Sequence, residues 1–87
     1  MGIWGADVNQ LRTLGKKLQH GADVLNDQRT QLAATLNGTQ WMGPDADSFR
    51  NEWDSVHFPA LVNAAHALSE AGTRAAQNAN EQEIASR

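Results

Sequence analysis

The sequence predicts an all-α protein, an antiparallel two-helix hairpin that pairs into a four-helix bundle dimer. Apolar residues recur at alternating steps of four and three over most of the 87 residues. A short break containing glycine and proline divides that pattern near its middle. This spacing forms one face of an α-helix, and sustained over several heptads it is the pattern of helix-on-helix packing.

The first helix is expected over about residues 5–37. From Trp4 the stripe runs Val8, Leu11, Gly15, Leu18, Ala22, Leu25, Arg29, Leu32, Leu36. Gly15 and Ala22 mark a place where a neighbouring backbone can come close, and Arg29 is expected at the edge of the stripe with its stem packed and its head in water. Asn37-Gly38 reads as a stop, because glycine takes the left-handed cap conformation without a Cβ penalty. A hinge follows over about residues 38–43.

The second helix is expected over about 44–78. Pro44 sits where its missing N–H costs nothing, and Asp45 and Asp47 place negative charge in the first turn, where it complements the helix dipole. The stripe resumes as Ala46, Phe49, Trp53, Val56, Ala60 and then slips by one residue to Leu61, Ala65, Leu68, Gly72, Ala75. Pro59 lies at the slip, which predicts a bend or a break there. From 79 to 87 the pattern gives way to a polar tail, expected to fray.

A chain of this length buries too little of its own surface to be comfortably stable alone, and it has no cysteine to staple it. Two helices also cannot cover all of Leu14, Phe49, Trp53, Phe58 and Leu61 for each other. Oligomerisation is therefore expected, through Leu11, Gly15, Leu18, Ala22, Leu25 and Leu32 of the first helix and Phe49, Trp53, Val56 and Leu61 of the second. Whether the partner is a second copy or a different chain is left open.

The composition excludes several functions. A net charge of -3 and a pI near 5.4, with Lys16-Lys17 the one basic pair, argue against a nucleic-acid surface. No apolar run approaches the ~20 residues that span a bilayer, and the N-terminus lacks the blocks of a secretory signal. The serines lie in no nucleophile context, there is no phosphate-binding loop, and His20, His57 and His66 lack metal-site spacing. The cluster Asp45, Asp47, Glu52, Asp54 fans around a helix start. No enzyme activity, cofactor or metal is expected.

The tripeptide Trp41-Met42-Gly43, midway between two heptad-bearing helices in a chain of this length, resembles the WXG100 family, the small ESAT-6-like substrates of type VII (ESX) secretion systems. The likeness covers nearly the whole chain. It implies a helical hairpin that dimerises with itself or with a second WXG100-like protein, engages the secretion ATPase, and is secreted folded without a signal peptide. It also implies that Trp41 and Gly43 form an export surface together with a partner's C-terminal segment. Members commonly carry a Tyr-x-x-x-Asp/Glu signal after the second helix. This chain has no tyrosine; Gln77, Glu81 and Ile84 keep a similar spacing without the aromatic. Two other readings stay open: the N-terminal targeting domain of a larger secreted toxin, and a cytoplasmic four-helix adaptor.

Overall fold

The computed structural model describes residues 6–85. Helix α1 spans Val8–Gly38. The returning arm consists of α2 (Pro44–Glu52), a π-helical turn over Trp53–His57, and α3 (Phe58–Ala85). Pairings across the hairpin descend along the second arm: Arg12 meets Asn80 and Glu83, Gly15 faces Gly72, Gln19 bonds Ser69, Gly21 lies beside Leu68, and Arg29 sits over Phe58. The arms are therefore antiparallel, in a rod 64 Å long and 17 by 14 Å across. The described residues contain no strand.

The start of α1 is set by Asp7, whose carboxylate accepts from the Gln10 N–H at 2.9 Å. That cap satisfies one of the first turn's orphan donors, and Ala6 and Asp7 are not helical. Trp4 and Gly5, where the sequence pattern opens the helix, lie outside the described residues. At the other end Gly38 closes α1 without a left-handed conformation. Thr39 caps it instead, its N–H donating to the Leu36 carbonyl and its hydroxyl to the Thr35 carbonyl.

The arms approach closely where glycines face each other. A Cβ placed on Gly72 would lie 3.0 Å from the Gly15 carbonyl oxygen, and one on Gly15 would lie 3.2 Å from that of Gly72. Gln19 locks this crossing: its amide donates to the Ser69 carbonyl at 2.7 Å, and the Ser69 hydroxyl donates to its Oε1 at 3.1 Å. The buried apolar side chains among the described residues are all alanine, Ala22, Ala65, Ala75 and Ala79 along the paired helices and Ala46 beside the turn. Close backbones and methyl groups make this a thin core.

The slip in the second stripe is real, but it falls earlier than the sequence pattern places it. The inward residues run Ala46, Arg50, Trp53, then Phe58, Leu61, Ala65, Leu68, Gly72, Ala75 and Ala79, with a step of five from Trp53 to Phe58. The π turn supplies the extra residue, and the Phe58 N–H bonds back to the Trp53 carbonyl. Val56 and Ala60 are consequently carried off the inner face and exposed. The wider turn also eases the crowding that the Pro59 ring imposes on the preceding carbonyls, so the arm continues without a break.

This phase argument predicts a difference between two deletions. Removing Ser55 converts the π turn to α-helix and leaves Trp53 and Phe58 on one face. Removing Asn63 rotates everything beyond it by about 100° relative to the stripe. Thermal melts followed by circular dichroism should show a cooperative transition for the first deletion and none for the second; equal damage from both would mean that the π turn does not keep phase.

The expected polar tail is also corrected in part. Helix α3 continues to Ala85 because the inner face continues: Ala79 is buried and Gln82 half-buried. Arg12 adds an ion pair with Glu83 and a hydrogen bond to Asn80. Ser86 and Arg87 lie outside the described residues.

Candidate functional site

The connection between the arms, Thr39 to Gly43, is built around one glycine. Gly43 has φ 114° and ψ 179°, the one positive φ among the described residues, in a region essentially closed to side chains with a Cβ. Its carbonyl accepts the Asp47 N–H at 3.0 Å, so the reversal leads straight into α2. Pro44 follows at the first helical position, with Asp45 and Asp47 in the first turn.

Trp41 folds against the face of the incoming helix. Its ring centroid lies 5.5 Å from that of Phe49, tilted by 48°. Even so, 39% of Trp41 remains exposed, and Met42 at the apex is 93% exposed. Beneath Trp41 an apolar groove of about 280 Å³ is lined by Leu32, Thr35, Leu36, Thr39, Trp41, Phe49 and Trp53. Farther down, Trp53 meets Phe58 edge to face at 6.2 Å, and the Arg29 guanidinium lies 5.2 Å from the Phe58 ring centroid. The head of Arg29, expected in water, is thus held over an aromatic face, a cation–π contact.

Arg50 is a residue holding the turn that sequence reasoning missed. Its guanidinium donates from Nη1 to the Trp41 carbonyl at 2.7 Å and from Nη2 to the Thr39 carbonyl at 3.1 Å. A signal existed: Arg50 stands four residues after Ala46 and three before Trp53, on the stripe, where a charged residue needs partners. Gln19, four residues after Gly15, is missed in the same way.

The residues expected at an interface separate into two groups. Gly15 and Ala22 are buried, and Leu11, Leu18 and Leu25 half-buried, along the flank where α1 meets α3 of the same chain. Trp53 and Leu61 are half-buried on the second arm. Leu32, Phe49 and Val56 are exposed, together with Leu14, Val24 and Val62. Gln77 and Glu81 are exposed on α3, and Ile84 is 67% exposed near its end. They stand at the far end of the rod from Trp41, so one chain does not bring turn and tail together.

The other sequence candidates occupy ordinary surface positions. Asp45, Asp47, Glu52 and Asp54 are exposed. His57 faces Glu52 at 3.3 Å and His66 faces Glu70 at 3.0 Å, both at the surface. No helix among the described residues is long and apolar enough to cross a membrane. No protein-family model, curated protein or solved structure matches the chain.

Proposed function

We propose that the chain is a WXG100-like hairpin that pairs with a second copy or a homologous chain and is exported with it by a type VII secretion system, through that system's ATPase. The observation that carries this reading is the Trp41-Met42-Gly43 turn. It joins two long antiparallel helices, its glycine occupies a backbone region few other residues enter, and it holds a large aromatic half open to solvent. An all-alanine buried core beside exposed Leu14, Leu32 and Phe49 supports pairing, since a partner would cover what the hairpin cannot.

The separation of turn and tail supports a division of labour. If recognition joins a W-x-G turn to a tail, the tail must come from the other chain. The tail here offers Gln77, Glu81 and Ile84 in place of an aromatic signal, so a homologous partner supplies the aromatic. The test is secretion of the tagged chain from its native host, with and without a co-expressed second WXG100-like chain that carries the Tyr-x-x-x-Asp/Glu signal. Trp41→Ala should lower export in the presence of the partner by roughly thirtyfold, the equivalent of losing a ~2 kcal/mol interface anchor. Export undiminished in Trp41→Ala would sink the reading; full export without the partner would remove the division of labour.

A further inference from the structure

Of the hydrogen bonds among the described residues, those that hold the turn are unevenly distributed. Thr39 is tied to the end of α1 and Gly43 to the start of α2, but the one bond reaching residues 40–42 comes from Arg50 to the Trp41 carbonyl. The same guanidinium spans to the Thr39 carbonyl, so one planar group bridges two points of the connection. Its sequence neighbours make this choice of partner informative. Asp45, Asp47, Glu52 and Asp54 all lie within five positions, Asp47 three residues before in the favoured acid-first order, yet Arg50 makes no ion pair among the described residues. It is half-buried and turned towards the carbonyls.

We propose that Arg50 is the positioning residue of the turn: its fork on the Thr39 and Trp41 carbonyls holds the Trp41 ring at the angle it presents to a partner. The preceding residue, Phe49, supplies the other half of the device. A single helical turn grips Trp41 twice, by its backbone through Arg50 and by its ring through Phe49. Gly43 alone reverses the chain but cannot fix it, because a residue without a side chain in open space has nothing to pack. A lysine cannot replace Arg50, since an ammonium on a flexible stem lacks the rigid fork that reaches two acceptors at once.

This inference rests on the reading of the turn as an export element, and the experiment keeps the two apart. Arg50→Lys and Arg50→Gln are prepared in the full chain, with circular dichroism to confirm unchanged helicity. The Trp41 indole N–H resonance, assigned by comparison with Trp41→Phe, and the heteronuclear NOE of residues 40–43 report the turn directly. Both variants should lower that NOE and move the indole resonance towards its free-chain position, the lysine variant less, while export falls towards the Trp41→Ala level. An unmoved indole resonance would overturn the clamp. A mobile turn with full export, in a host where Trp41→Ala is not exported, would overturn the positioning role. If Trp41→Ala is itself exported, the export reading falls, and the NMR arm alone upholds or overturns the clamp.

Discussion

Gly72→Leu is expected to unfold the hairpin at physiological temperature. Its Cβ alone would lie 2.7 Å from the Gln19 amide nitrogen, closer than real Cβ contacts fall, and 3.0 Å from the Gly15 carbonyl oxygen, tighter than nearly all of them. Gln19 can swing away only by giving up its bonds to Ser69, at about 1 kcal/mol each, and the Gly15 carbonyl, being helix backbone, can give way only by moving its helix. The arms must separate, which uncovers Ala22 and Ala75 and adds an overpacking cost of about 1–3 kcal/mol. A domain of this size has only a few kcal/mol to lose. Gly38→Ala is the control: nothing lies within 4 Å of the added methyl and the backbone is not left-handed, so it should raise stability by up to about 1 kcal/mol. Urea melts of the two variants check both signs. A Gly72→Leu chain as stable as the parent would mean that the helices do not cross at these glycines in solution.

The glycine crossing was legible in the sequence because Gly15 and Ala22 interrupt a leucine stripe with small residues, and only a close backbone explains small residues there. The pattern could not say which backbone comes close. A stripe reads the same whether α3 of its own chain or a partner's helix covers it, and burial assigns Gly15 and Ala22 to the hairpin. The slip in the second stripe was legible as a one-residue insertion but misplaced. Pro59 drew attention to itself, whereas packing puts the insertion at Trp53–His57 and makes Phe58, not Val56, the inward residue.

The helix of the tail is hidden in the sequence for a related reason. Its polar composition hid a stripe reduced to Ala75, Ala79 and Gln82, which needs no large side chain because the arms lie so close. Gly43 and Pro44 gave the turn a mechanism from sequence alone. Arg50 lay beyond that reach, since its bonds run back nine and eleven residues to backbone atoms that no side-chain pattern records.

Leu18→Asp and Leu32→Glu should separate the fold of the hairpin from its association. Both residues belong to one series with Leu25, seven apart, yet Leu18 is half-buried and Leu32 is 46% exposed. A carboxylate at 18 replaces an apolar chain on the flank where Gly21 already lies against Leu68. Lost burial and desolvation together cost about 3 kcal/mol, enough to remove most helicity from so small a domain. At position 32 glutamate matches leucine in helix propensity, and the hairpin should change by less than about 0.5 kcal/mol. Leu32, however, lines the groove with Trp41, Phe49 and Trp53, so a charge there opposes any partner seated on it. Light scattering coupled to gel filtration at micromolar concentration should find the parent associated, and Leu32→Glu fully helical but monomeric. A folded Leu18→Asp chain would show that the inner flank does not hold the hairpin. An undiminished Leu32→Glu oligomer would place the partner on another face, away from the turn.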